Sequence, residues 1–223
     1  KSEQTAARLT GAAVPSSDVR RNPWQPSCTS FARAPLRWST LTVLLYPSKG
    51  MPVSCTPPLL HGLWIPLVTP FEGPAIDHAA LAALAKRLAA QGIAGFVVCG
   101  PTGEAAALDE DEQLAVLATV REAVPHLPRI MGLGGEHLGH VLARLERLNT
   151  QELHGVLVPA PSYIRPAQDG LLTWFTRIAD ASAQPVVVYD IPYRTGATLQ
   201  LDTLRAPGRP PRIQAINDCR RDA

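Results

Sequence analysis

From Gly62 onward the chain repeats one pattern: a short apolar run of strand character, a turn, then a longer stretch with apolar residues at helical spacing. Strands alternating with helices in this way pack as a parallel sheet or barrel with the helices outside it. The pattern recurs about every 30 residues, the rhythm of a (β/α)8 barrel. Strands are expected over residues 63–69, 94–99, 129–133, 155–158, 185–189 and 213–216. Between them helices are expected from the N-cap Asp77 to about Gln91, from about Asp109 to Val124, and over residues 138–148, 170–183 and, briefly, 201–205. Asp77 is a short acceptor placed just before an apolar face of Leu81, Leu84, Ala85 and Leu88, and Gly92 supplies the stop. Six strands fall short of eight, and a complete barrel takes about 250 residues. The fold class expected is therefore α/β, a (β/α)8 TIM barrel truncated after its sixth strand. In that case the first and sixth strands expose unpaired edges.

Residues 61–223 form the expected partial barrel domain, and residues 1–60 an irregular or disordered leader. The first 50 residues are rich in Pro, Ser and Arg, with Asn22-Pro23, Gln25-Pro26 and Ala34-Pro35 as breakers and no sustained period. They hold seven Lys or Arg against only Glu3 and Asp18, whereas acids slightly outnumber bases from Met51 onward. A natural start at Met51, with upstream sequence before it, fits this change of texture. The overall formal charge of +2 offers no basic surface for nucleic acid. No apolar run approaches the roughly 18 residues of a membrane span, so a soluble, cytoplasmic protein with no membrane partner is expected.

Cys28, Cys55, Cys99 and Cys219 are scattered without the spacing of a zinc site or a disulfide framework. His137 and His140 stand at a polar helix start, where capping or solvated roles are commoner than metal ligation. Asp109 to Glu112 reads as negative charge set against a helix dipole. Trp64 and Trp174 read as packing residues.

The stretch from Val186 to Gly196, VVVYDIPYRTG, is the most suggestive of a site. Three β-branched residues followed at once by Pro and Gly punctuation mark the end of a buried parallel strand, and ligands of alternating folds bind at that edge. Tyr189 and Arg194 stand there. The plainer reading is a buried tyrosine with a satisfied hydroxyl beside a surface arginine.

Four spaced motifs together resemble the dihydrodipicolinate synthase and N-acetylneuraminate lyase family of pyruvate-dependent class I aldolases, most of all its dihydrodipicolinate synthase branch. Ile65 to Phe71 resembles the family's opening strand. Gly100-Pro101-Thr102-Gly103-Glu104 resembles its Gly-Thr-Thr-Gly-Glu loop, and Pro161-Ser162-Tyr163-Ile164-Arg165-Pro166 its Pro-x-Tyr-x-x-Pro loop. Tyr189-Asp190-Ile191-Pro192-Tyr193-Arg194-Thr195-Gly196 is similar to its Tyr-Asn-x-Pro-x-Arg-Thr-Gly signature.

The resemblance implies a lyase of lysine biosynthesis that joins pyruvate to an aldehyde such as aspartate semialdehyde through a Schiff base on a lysine of the sixth strand. It implies no cofactor and no metal, and a homo-oligomer. By the same resemblance Tyr189 is the proton shuttle and Tyr163 extends its relay. Thr102 and Gly103 hold the pyruvate carboxylate, and Arg194 holds the carboxylate of the second substrate. Two departures bear on the chemistry. The lysine position reads Asn217, in Ile216-Asn217-Asp218, and the only lysines are Lys1, Lys49 and Lys86. The first Thr of the anion loop is Pro101, which has neither hydroxyl nor N–H. The chain is then an impaired member of that enzyme class or, alternatively, a catalytically inactive barrel remnant that binds a small carboxylate.

Overall fold

The computed structural model describes residues 60–205 and 210–220. The leader expected over residues 1–60 lies outside them except for Leu60, which is buried in the barrel interior.

The first barrel strand, β1, is Trp64–Pro66; a two-residue strand β2, Phe71–Glu72, then pairs antiparallel with β3, Ala75–Ile76. Helix α1 is His78–Ala89, strand β4 Gly95–Val98, helix α2 Glu110–Ala123 and strand β5 Arg129–Gly132. Helix α3, Leu138–Asn149, leads to β6, Gly155–Pro159, and α4, Gln168–Ala181, to β7, Val186–Asp190. Two one-turn helices follow, α5 over Pro192–Thr195 and α6 over Leu201–Leu204, before β8, Ile213–Asp218. The order of the main sheet is β1-β4-β5-β6-β7-β8, every pair parallel. Its described edges, β1 and β8, each have one neighbour, so the expected six-stranded partial barrel is what forms.

Two apolar layers explain why the strands read as near-continuous hydrophobic runs. On the inner face each strand contributes one residue to a common layer: Trp64, Val97, Ile130, Leu157, Val187 and Ala215. On the outer face Phe96, Val98, Met131, Val156, Val158, Val186 and Val188 pack against helix residues such as Leu81, Leu117, Val120, Leu145, Leu171 and Ile178. Burial of each such side chain contributes roughly 1.5–3 kcal/mol. Trp64 and Trp174 do pack, and their indole N–H groups donate to the His61 and Pro159 carbonyls at 3.2 and 3.0 Å.

Local signals set most helix starts. Asp77 accepts from the Ala80 N–H at 2.8 Å. Asp109 and Glu112 close a reciprocal capping box at 2.8 and 2.9 Å. His137 Nδ1 accepts from the His140 N–H at 3.2 Å, so of the two roles expected there, capping and solvation, capping is the one His137 takes.

Several boundaries differ from expectation. The first strand shortens from residues 63–69 to Trp64–Pro66, because the chain leaves the sheet after Pro66 and turns through Gly73 into the β2–β3 hairpin. Residues 192–195, expected as loop, form a helical turn with Pro192 at its first position and Gly196 left-handed after its last. Strand β8 runs to Asp218 rather than Ile216, and so carries Asn217 within the sheet.

Candidate functional site

Every residue marked as a site candidate lies at the C-terminal end of a parallel strand or in the loop that follows it. Thr102 and Gly103 follow β4, Tyr163 follows β6, Tyr189 ends β7 with Arg194 just beyond, and Asn217 lies near the end of β8. The side-chain period of two carries the inner face from Val187 to Tyr189 and from Ala215 to Asn217. Tyr189 and Asn217 are register partners, and Pro159 of β6 faces Tyr189 on its other side.

At this inner corner Asn217 is buried and Tyr189 partly buried. Burial raises the Tyr189 phenol well above its usual pKa, the Cys219 thiol hydrogen-bonded to it and Tyr193 push the same way, and the Arg194 charge opposes them weakly. The phenol therefore stays protonated as a hydrogen-bond donor near neutral pH. Burial likewise raises the Cys219 thiol, with Asp218 and Asp190 adding to the effect, so it too remains neutral. Asn217 is 5 % exposed; its Oδ1 lies 3.7 Å from the Cys219 sulfur, and its donor Nδ2 meets no described partner. An amide in this position can donate to a carbonyl oxygen, but its nitrogen is not basic and forms no imine.

Arg194 is exposed, with its guanidinium 5.8 Å from the Tyr193 ring centre. The turn that carries it is tied down by Thr195, whose hydroxyl contacts the Ile191 and Ala197 carbonyls at 3.2 and 3.0 Å. Arg165 lies against the turn's exit: a Cβ on Gly196 would run into the Arg165 guanidinium. Tyr163 and Arg165 both adopt left-handed backbone, with φ 67° and 52°. Such conformations cost of order 1–3 kcal/mol for non-glycine residues and persist where the surroundings enforce them. Tyr163 is 92 % exposed.

The loop after β4 folds as two consecutive 3-10 turns, Pro101–Gly103 and Ala105–Ala107, joined through Glu104 at φ 54°. Pro101 opens the first, a position that needs no N–H. The Gly103 N–H donates to the Gly100 carbonyl at 3.0 Å and is thereby occupied. Gly103 matters here for space, since a Cβ would come within 2.8 Å of the Leu67 carbonyl oxygen. The exposed Thr102 hydroxyl is the side-chain donor of this loop.

On the outer face of the same two strands Asp190 and Asp218 are also register partners. The Arg220 guanidinium donates to both Asp218 carboxylate oxygens and approaches Asp190 Oδ2 at 3.4 Å. Asp190 is 2 % exposed, and its Oδ2 accepts no hydrogen bond. Burial raises the Asp190 carboxyl, while hydrogen bonding to Arg220 lowers that of Asp218.

Thus the fold gathers Tyr189, Arg194 and Asn217 at one corner and sets Thr102 and Tyr163 on the same rim. Lys86 lies exposed on α1, outside the sheet. Among the described residues no group of His, Cys, Asp and Glu could hold a metal ion, and no helix is long and apolar enough to cross a membrane. Sequence reasoning missed Cys219, Gln113 and Arg144, each of which sits on a different element from the group it contacts.

Residues 59–223 match the model of the dihydrodipicolinate synthetase family. The 4-hydroxy-tetrahydrodipicolinate synthase of Mycobacterium leprae is 37 % identical over 168 residues, 74 % of this chain and 56 % of that protein. A Streptomyces coelicolor protein, 4-hydroxy-tetrahydrodipicolinate synthase 1, is 40 % identical over 158 residues, 70 % of this chain and 52 % of its own. The chain spans about half the length of these relatives. Among solved structures, the synthase of Methylacidiphilum fumariolicum superposes with a TM-score of 0.66 at 28 % identity, over 69 % of this chain and 52 % of that one. The chloride-inhibited dihydrodipicolinate synthase of Acinetobacter baumannii complexed with pyruvate gives 0.62 at 28 % identity, over 64 % and 50 %.

Proposed function

We propose that this chain, which belongs to the dihydrodipicolinate synthetase family, carries a 4-hydroxy-tetrahydrodipicolinate synthase-like site that binds pyruvate but does not join it covalently. The observation that carries this reading is the pairing of Tyr189 with Asn217 on the inner face of β7 and β8. A class I aldolase needs a neutral amine there to attack the ketone, and a proton shuttle to remove water from the carbinolamine. On this reading Tyr189 serves as the shuttle, and Asn217 offers no amine. The pyruvate complex of the Acinetobacter structure supports the choice of ligand.

In this reading the Thr102 hydroxyl donates to the pyruvate carboxylate, while the Tyr189 phenol and the free Asn217 Nδ2 donate to its ketone oxygen. The Arg194 fork suits the carboxylate of a second substrate such as aspartate semialdehyde, since its parallel N–H groups make two charge-assisted bonds. The ketone carbon stays unreacted for want of a nucleophile.

Incubation with pyruvate and borohydride, followed by intact mass measurement, tests the covalent half. No added mass is expected, and a reduced pyruvyl group on any lysine overturns it. Ligand-observed NMR of pyruvate tests the binding half. Saturation transfer to the methyl group, abolished in Tyr189→Phe/Thr102→Val, is expected; no transfer to the unsubstituted chain refutes binding.

A further inference from the structure

We infer that Gln113 and Arg144, which lie outside the site, are positioning residues that hold the Pro101–Ala107 anion loop in its binding shape. The loop is under conformational load: Cys99 and Glu104, at its entry and its middle, are both left-handed at φ 51° and 54° without being glycine. Its internal hydrogen bonds are all local, closing single turns: Gly103 to Gly100 at 3.0 Å, Glu104 to Pro101 at 3.2 Å, Ala107 to Glu104 at 2.8 Å and Leu108 to Ala105 at 3.2 Å. Bonds of this kind do not by themselves hold a non-glycine residue in a sparsely populated conformation.

Two side chains reach the loop from elsewhere. Thr69 donates to the Gly103 carbonyl at 2.7 Å. Gln113, in the first turns of α2 and 5 % exposed, spends its amide nitrogen on two loop carbonyls, Ala105 at 2.8 Å and Leu108 at 3.1 Å. Its own backbone carbonyl faces the Cys99 sulfur at 3.8 Å. Gln113 thus touches both the entry to the loop and its far end.

Arg144 of α3 makes this grip directional. Its guanidinium donates to Gln113 Oε1 at 2.7 Å and to the Gly134 carbonyl at 2.7 Å, and its Nε lies 3.6 Å from Glu110. With Oε1 claimed by a cation, the amide can present only its NH2 group to the loop. The charge also polarises the amide and strengthens its donation. Arg144 is close enough for its charge to be felt at Cys99, whose thiol burial pushes up to about 12. Tension therefore runs from the β5–α3 connection through Arg144 and Gln113 to the segment that presents Thr102.

The link to pyruvate rests on the proposed function above, but the brace itself has a readout that needs no ligand. Hydrogen exchange is followed at the Gly103, Glu104, Ala107 and Leu108 amides of the full chain, with the Val156 and Val186 amides of the sheet as internal controls. Gln113→Glu keeps the Arg144 contact but turns a carboxylate oxygen toward the two loop carbonyls. Arg144→Met removes the cation and leaves Gln113 in place. Both are expected to speed loop exchange at least tenfold while the sheet amides change less than twofold, and Arg144→Lys to recover part of the protection. Pyruvate affinity is expected to fall about tenfold in the first two variants. Unchanged loop exchange, or an equal rise at loop and sheet amides, overturns the inference. Should Gln113→Glu fail to fold, Arg144→Met decides alone. If the unsubstituted chain shows no pyruvate binding, the proposed function falls and the exchange data still judge the brace.

Discussion

Tyr189 and Asn217 are cross-strand partners in the parallel β7–β8 pair, side by side on the inner face of the barrel. A phenol whose pKa burial raises further above neutrality thus stands beside a neutral amide. On the proposed reading this pair would be the proton shuttle and the vacant place of the amine.

Asn217→Lys is expected to restore covalent chemistry. The new amine would sit in a largely enclosed corner, where desolvation favours its neutral, nucleophilic form. Borohydride trapping with pyruvate should then add one reduced pyruvyl group per chain. Tyr189→Phe in that background should slow trapping by about 10²-fold, the usual contribution of a positioned acid–base group. An unlabelled Asn217→Lys protein that is folded by circular dichroism would count against the shuttle geometry.

Asp190→Asn is expected to stabilise the chain near neutral pH. The folded-state pKa of Asp190 is raised by burial, so its charged form is the disfavoured one. Its contribution to stability is present below the unfolded-state pKa and lost as pH rises through the folded value. The substitution should raise Tm by the equivalent of about 1 kcal/mol at pH 7, and the gain should vanish as pH falls through the carboxylate range. Thermal melts across that range check the sign.

Asp218 has the opposite sign. Hydrogen bonding to Arg220 lowers its pKa, so its contribution is present above the unfolded-state value and lost as pH falls through the folded one. Arg220→Gln should therefore flatten the acid limb of the stability curve, measured by urea unfolding at several pH values.

Gly196→Ala is expected to destabilise by about 1–2 kcal/mol, because φ at this position is 71° and the added methyl displaces Arg165. The displacement should also release the loop that carries Tyr163, seen as faster proteolysis between Pro161 and Pro166. Thermal or urea unfolding gives the first number, and peptide mapping the second.

Asp109→Ala should cost about 1 kcal/mol by opening the capping box of α2. The loss is small and local, and urea titration detects it as a shift in midpoint with no change in slope.

The alternation of strand and helix was legible because periodicity is a local property. The runs at 94–99, 129–133 and 155–158 are apolar on both faces, and such runs become central strands in any parallel sheet. Asp77 announced its helix through capping chemistry that spans three residues, and the helix after His137 was marked by apolar residues at helical spacing. The β2–β3 hairpin was not legible, because two-residue strands carry no period and Gly73 alone marks the turn. The end of β8 was missed for a related reason: Asn217 and Asp218 are poor strand formers that tertiary pairing with Tyr189 and Asp190 holds in the sheet.

By itself the sequence determined the α/β class, the placement of the candidate residues after strand ends, and the absence of a lysine at position 217, since these follow from residue order and type. Tertiary structure alone decided that Tyr189 meets Asn217 and Cys219, that Tyr163 is exposed, and that Arg144 bonds Gln113, whose amide bonds the Ala105 and Leu108 carbonyls. Those relations depend on register between strands and on packing between helices, as where Gln113 and Arg144 meet across 31 residues of sequence. They come from the burial of two apolar layers acting on the whole sheet at once, which no local stretch of residues encodes.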